Sequence, residues 1–275
     1  MNLRLPTPCL ALLAGLLLPS AADAVDIVAH RGASFDAPEN TLAAEKLAWK
    51  QNADAVETDI HLSKDGKLAV SHDKTTKRTA GRDALIADLT MAELKELDAG
   101  TWKTPKFAGE KIPVLDEQIA LIPRGKRMLV EIKIGPEIVP ELKRCLARTG
   151  ASEKNITIIS FNFESLKEVR KQLPRYQTLW LLGYRSPAAA KKAKAAPSPT
   201  VDEMIRDAKA AGLTGLDLQH TFPLTPADTK KIRDAGLQLH VWTVDEPEVA
   251  KHWIDLGVAS ITTNRPGWLR EQLKL

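Results

Sequence analysis

Three times in the back half of the chain a helix-like segment ends at glycine and passes directly into an apolar strand: AAGLTGLDLQ (210–219), DAGLQLHVWTV (234–244) and DLGVASITT (255–263). Glycine suits the position just past a helix end because it accepts the left-handed conformation that closes the last turn. The helices ahead of these glycines have apolar residues at helical period: Val201, Met204, Ile205 and Ala208 in one, Val249, Trp253 and Leu256 in another. A repeated helix-to-strand handover calls for parallel strands joined by helical crossovers. Strand-like segments near 27–30, 55–60, 129–133, 156–160, 178–182, 215–219, 238–243 and 259–263 make eight. Residues 67–72 add a hairpin strand turned at Lys64-Asp65-Gly66-Lys67. Residues 25–275 are close to the ~250 of a (β/α)8 barrel. The expected fold is therefore α/β, a (β/α)8 TIM barrel with an inserted subdomain after the second strand and its hairpin.

That insertion spans about 74–126 and contains the capping-box pattern Thr90-Met91-Ala92-Glu93, then a loop from Trp102 to Pro113. A second insertion, SPAAAKKAKAAPSPT (186–200), is cationic and of low complexity. Its composition reads as a solvated linker, with a mobile phosphate-attracting lid as the alternative. Both follow strands, which puts them on the face where such barrels carry their chemistry.

Residues 1–24 have one early arginine, an apolar stretch from Cys9 to Leu18 and an A-x-A ending before Val25, the pattern of a cleaved export signal. The stretch is about half the ~20 residues of a spanning helix, so a transmembrane anchor is not expected. Leu-Pro-Thr-Pro ahead of Cys9 lacks the small residues of a lipidation site. The expected location is periplasmic or secreted, with Cys145 the single cysteine of residues 25–275 and no intramolecular disulfide open to it. The net charge of +4 is mild, and no arginine-rich face with interleaved aromatics points to nucleic acid.

The reactive side chains cluster at strand ends. His30-Arg31 closes the first strand, Glu57-Thr58-Asp59 lies in the second, His72-Asp73 follows the hairpin, and Glu131-Ile132-Lys133 closes a later strand. Residues two apart on a strand share a face, so Glu57 and Asp59 converge, as do Glu131 and Lys133. Close carboxylates repel unless a cation or proton lies between them, and hard oxygen ligands suit Mg2+ or Ca2+ better than zinc. Arg31 matches a phosphate in bidentate fashion, and His30 and His72 exchange protons near neutral pH. Singly, an ExD pair at a strand end is more often a salt-bridged or capping pair. The joint pattern points to phosphoryl chemistry.

With these residues in place the chain resembles the glycerophosphodiester phosphodiesterase family in its secreted bacterial form. The likeness runs through AHRGASFDAPENTLAA (29–44), VETDIHLSKDGKLAVSHD (56–73), residues 88–117, VEIKIG (130–135), ISF (159–161), VWTVDE (241–246) and ITTNRPG (261–267). Two departures, KTTKRTAG after His72-Asp73 and Asn264 where aspartate is common, are expected to lie outside the core chemistry. The resemblance implies a glycerophosphodiester substrate, one divalent cation (Ca2+ or Mg2+) on Glu57, Asp59 and Glu131, phosphate oxygens held by Arg31 and Lys133, and His30 and His72 as general acid and base. It also implies that the 74–126 insertion helps define the substrate pocket, against a packed surface subdomain as the alternative, and it favours attack by the glycerol's neighbouring hydroxyl over direct attack by water.

Weaker candidates surround this set. Asn40 reads equally as a helix N-cap or a site residue, Trp242 as a glycerol-packing or a core aromatic, and His61 as structural or supporting. Phe161 and Phe163 read as filling the barrel top, and His220, His240 and His252 as incidental. Two other activities stay open: a lysophospholipase D or sphingomyelinase D on the same barrel, and a non-catalytic phosphodiester-binding protein. Related barrels host different chemistries.

Overall fold

A computed structural model describes residues 25–275; the export-signal reading of 1–24 falls outside the described residues. Nine strands form: β1 (Asp26–Ala29), β2 (Ala55–Leu62), β3 (Leu68–Val70), β4 (Arg127–Ile132), β5 (Ile156–Ser160), β6 (Gln177–Leu182), β7 (Gly215–Gln219), β8 (Gln238–Trp242) and β9 (Ser260–Thr263). Eight are parallel neighbours in the order β1-β9-β8-β7-β6-β5-β4-β2, and β1 pairs with β2 to close the ring. The antiparallel β3 hangs on β2 through Ile60–Val70, His61–Ala69 and Leu62–Leu68. This is the expected (β/α)8 barrel with its additional hairpin strand. The three helix-ending glycines, Gly212, Gly236 and Gly257, all have positive φ. A β-carbon costs energy in that conformation, which is why the handover repeats with the same residue.

Inside the barrel Val28, Ala55, Leu129, Ile159, Leu179 and Leu181 pack as one apolar cluster beneath the strand ends. Outside it, the crossover helices lay Met204, Ile232, Trp253 and Leu269 against the strands. The 74–126 insertion has a small core of its own, with Ile86, Leu94, Ala99 and Ile112 packed on Ala69 of β3. Its Thr90 capping box forms as expected. Lys103 donates to the Ser34 carbonyl (2.8 Å), tying the insertion to the loop after β1.

The 186–200 segment departs from the open linker its composition suggests. Residues Pro187–Ala193 are helical behind a Ser186 cap. Ser198 bridges back to Arg185 (2.7 Å) and to the Gly183 carbonyl (2.9 Å), closing the segment into a tied loop. Alanine-rich sequence with a Ser-Pro start is good helix material, and that local preference outweighs the polar composition.

The turn after β1 carries His30 and Arg31 and is tightly packed. Arg31 and Gly32 both have positive φ, and a β-carbon on Gly32 would sit 2.6–2.8 Å from Ala44. Gly32→Ala is therefore expected to destabilise the chain by at least roughly 1–3 kcal/mol from backbone strain alone, read as a fall in urea midpoint.

Candidate active site

All seven strongly indicated side chains meet at the carboxyl-end face of the barrel. β2 pairs with β4 so that Asp59 lies beside Glu131 and Glu57 beside Leu129. Oxygens of Glu57, Asp59 and Glu131 come within 4.8 Å of one another, and the three residues are 2%, 1% and 8% exposed. Glu57 Oε1 and Asp59 Oδ1 are buried and accept no hydrogen bond. Lys133 Nζ stands 2.7 Å from Glu131 Oε1 and 3.3 Å from Asp59 Oδ1, and Arg31 Nε is 3.4 Å from Asp59 Oδ2. Three carboxylates thus face two cations.

The imbalance shows in the proton affinities. Burial, with repulsion from Asp59 and Glu131, pushes the Glu57 carboxyl well above its ordinary range. Burial and Asp59 push Glu131 up to about 8 against the pull of Lys133. Asp59 goes the other way: burial opposes its charge, but Lys133 and Arg31 outweigh it and bring the group down to about 2. Unpaired buried carboxylate oxygens converging at this range fit a hard divalent cation, whose charge would replace the protons on Glu57 and Glu131.

The two candidate histidines are each held through Nδ1. His30 Nδ1 meets Asn264 Oδ1 at 2.7 Å, so Nδ1 carries the proton and Nε2 is left facing Glu57, 4.0 Å from Oε2. Burial and the neighbouring Arg31 lower the His30 pKa to about 4, which keeps the ring neutral. His72 Nδ1 lies 2.8 Å from Asp73 Oδ1, again leaving Nε2 free. Both rings, with Arg31, Glu57, Glu131 and Lys133, line one cavity of about 220 Å3. Its remaining wall is largely apolar: Ile159, Phe161, Leu181 and Trp242.

A protein-family model described as "Glycerophosphoryl diester phosphodiesterase family" matches residues 30–268. The chain belongs to the glycerophosphoryl diester phosphodiesterase family. With it the chain joins the phosphoric diester hydrolases. It is 35% identical over 247 residues to a glycerophosphodiester phosphodiesterase of Caldanaerobacter subterraneus subsp. tengcongensis, covering 87% of this chain and 94% of that one. It is 31% identical over 277 residues to a glycerophosphodiester phosphodiesterase of Bacillus subtilis, covering 94% and 89%. Among solved structures it is similar to an Oleispira antarctica phosphodiesterase in complex with the product sn-glycerol-3-phosphate, with a TM-score of 0.79, 26% identity and coverage of 91% and 97%.

For this glycerophosphoryl diester phosphodiesterase family member the structure corrects several expectations. Asn264 does touch the candidate chemistry: it accepts from His30 and donates from Nδ2 to Asp245 Oδ2 (2.6 Å), while Asp245 Oδ1 accepts the Asn264 backbone N–H (2.8 Å). The departure in KTTKRTAG is also part of the site's support. Arg78 donates to Asp73 Oδ2 (2.7 Å) and to both oxygens of Glu39 (2.7 and 2.8 Å), and Glu39 in turn holds Arg31 (2.9 Å). Asn40 is not the cap, because Thr41 accepts from Ala44; its Nδ2 donates to Asp59 Oδ2 at 2.8 Å. Phe161 does not fill the barrel top; it is 47% exposed, lines the cavity and meets Trp242 edge-on at 5.4 Å. Phe163 does not fill the barrel top either; it packs against Trp180 on the outer face of β6. His61 supports His72 from behind through the His72 carbonyl at 3.3 Å. The insertion meets the site through Arg78 and Lys103; the described residues lining the cavity come from the strand ends and His72.

Asp217 carries only a faint local signal. It sits in β7 within LDL, and burial followed by the Glu131 charge pushes its carboxyl up to about 8. An aspartate between leucines in a barrel strand is the one cue the sequence offers.

Asn264→Leu keeps the volume but removes the acceptor for His30 and the donor to Asp245. Loss of such an orienting partner typically costs 10–100-fold. The expected result is a fall of that size in kcat at little-changed KM, with the His30 Nδ1–H resonance lost from NMR spectra.

Proposed function

We propose that the chain hydrolyses glycerophosphodiesters, such as glycerophosphocholine and glycerophosphoethanolamine, to glycerol 3-phosphate and an alcohol. The observation that carries this reading is one compact cavity walled by two Nδ1-anchored imidazoles, two cations and two members of a converging carboxylate triad. A compact cavity suits a deacylated diester. Binding alone has no use for two imidazoles with free Nε2 atoms.

In this reading Arg31 and Lys133 hold the phosphodiester oxygens. His30, kept neutral by burial, takes the proton from the attacking hydroxyl, and His72, steadied by Asp73, gives one to the departing alcohol. Glu57, Asp59 and Glu131 would hold a divalent cation, Ca2+ or Mg2+, whose charge neutralises the phosphoryl oxygens as negative charge builds. Asp59 is fixed for that task by Asn40, and Glu57 by the Arg31 backbone N–H at 2.9 Å. Attack by the glycerol's own hydroxyl is the favoured route, expelling the alcohol and giving a cyclic phosphate that water then opens to glycerol 3-phosphate, and a deoxy analogue lacking that hydroxyl is then turned over poorly.

The activity test is release of glycerol 3-phosphate from glycerophosphocholine by the purified chain, before and after chelation, with Ca2+ or Mg2+ restored separately. Metal-restored release supports the reading. Absence of release with either ion turns the assignment to lysophospholipids, and failure there to capture without cleavage. No helix of the described residues is long and apolar enough to cross a membrane. The signal pattern of residues 1–24 supports a periplasmic or secreted enzyme whose mature chain starts at Val25, which N-terminal sequencing of the exported protein checks.

A further inference from the structure

The proposed chemistry uses the half of the cavity built from β1, β2 and β4, together with His72, and leaves two polar side chains on the other half without work. Asp217 of β7 is 1% exposed, lines the cavity, and its Oδ1 has no hydrogen-bond partner. Thr262 of β9 is 2% exposed, lines the same cavity, and its Oγ1 is likewise unpartnered. β8 lies between them, and its Trp242 donates Nε1–H to the Asp217 main-chain carbonyl at 3.0 Å, which fixes the indole between the two. In the closed strand order β7 stands four strands from β2, so Asp217 is across the barrel from Glu57 and Asp59.

A buried polar group with no partner costs roughly 1–3 kcal/mol. Two of them facing one cavity, otherwise lined there by Ile159, Phe161, Leu181, Trp242 and Thr243, mark a place where a ligand supplies the missing hydrogen bonds. Their chemistry selects that ligand. A carboxyl and a hydroxyl on either side of β8 both give and take hydrogen bonds, as a polyol requires. A trimethylammonium head group offers nothing to Thr262.

We propose that Asp217 and Thr262 form the subsite that reads the glycerol end of the substrate through its terminal hydroxyl. This rests on the glycerophosphodiester reading above. With the phosphate held at Arg31 and Lys133, the glycerol lies inward against these two residues. The head group points to the mouth, beside the exposed Phe161, where it is weakly discriminated. Burial keeps the Asp217 carboxyl largely protonated up to about pH 8, so it both donates to and accepts from a hydroxyl.

The test compares glycerophosphocholine with 2-hydroxyethyl phosphocholine, which keeps the hydroxyl next to the phosphoester and lacks the terminal one. The full chain and its Asp217→Leu, Asp217→Asn and Thr262→Val variants are assayed on both. The expected result is a ten- to hundred-fold preference of the unaltered chain for glycerophosphocholine in kcat/KM. Asp217→Leu abolishes that preference, Thr262→Val reduces it, Asp217→Asn retains part of it, and rates on the shorter diester move less than threefold. Equal losses on both diesters would overturn the assignment. Turnover of neither diester by the unaltered chain would instead defeat the proposed function. Calorimetric titration with glycerol 3-phosphate and with 2-hydroxyethyl phosphate then decides the subsite alone: tighter glycerol 3-phosphate binding that Asp217→Leu removes supports it, and equal binding overturns it.

Discussion

Replacing His30 with alanine is expected to lower kcat on glycerophosphocholine by about 10²- to 10⁴-fold, the usual weight of a positioned general base or acid. His72→Ala is expected to do the same, because each ring has its Nδ1 committed and only Nε2 left for transfer. The two losses should not multiply in the double variant, since proton removal and proton delivery belong to one displacement. Neither ring belongs to the acidic triad, so affinity for Ca2+ or Mg2+ should stay within a few-fold, as measured by titration with the metal alone. His30→Ala with unchanged turnover would refute the catalytic role. Loss of turnover together with loss of metal binding would instead make His30 a support for the acidic cluster.

Glu131→Gln is expected to separate stability from function. The native carboxyl titrates near 8 because of burial and the adjacent Asp59, far above the ordinary 4.5 of the unfolded chain. A group raised in this way favours the folded chain most at low pH, and its contribution is lost as pH rises through about 8. Glu57, raised for the same reasons, acts in the same direction. Asp59, lowered to about 2, contributes at all pH values above 3.8 and loses its contribution only in strong acid. Metal-free chain should therefore fall in Tm between pH 5 and pH 9, and a divalent cation should restore it most at the alkaline end. Glu131→Gln removes one repelling charge and flattens that fall, raising the metal-free Tm at pH 8 by roughly 2–4 °C for each kcal/mol relieved. The same change removes one of three converging oxygens, with cation affinity down by at least roughly 100-fold and turnover with it, since even partners outside the ligand set carry 10–100-fold. A Glu131→Gln chain with ordinary metal affinity would take Glu131 out of the ligand set.

The barrel was legible from short-range pattern. Gly212, Gly236 and Gly257 mark helix ends by a conformational demand on a single residue, and the strands that follow are apolar because both faces are covered. The set His30, Arg31, Glu57, Asp59, His72, Glu131 and Lys133 was legible for a similar reason. Each lies in a strand or within two residues of one, and the two-residue period of a strand already aims Glu57 with Asp59 and Glu131 with Lys133.

The supporting residues follow a different logic. Asn264 reaches His30 across 234 positions, because β9 and β1 become neighbours only when the ring closes. Arg78 ties Asp73 to Glu39 across 39 positions, and Asn40 reaches Asp59 across 19 because Arg31 and Gly32 reverse the chain before the first helix. Asp217 and Thr262 line the cavity because alternate residues on every strand face the barrel axis, a fact about closure that neither LDL nor ITT displays. The sequence by itself determined the strand-and-helix repeat, the fold class and the reactive groups, since these depend on local period and residue chemistry. Only the tertiary structure decided how each imidazole is oriented, which carboxylates hold their protons and where the cavity ends. Those outcomes depend on burial and on partners from distant segments, and both exist only once the barrel has closed.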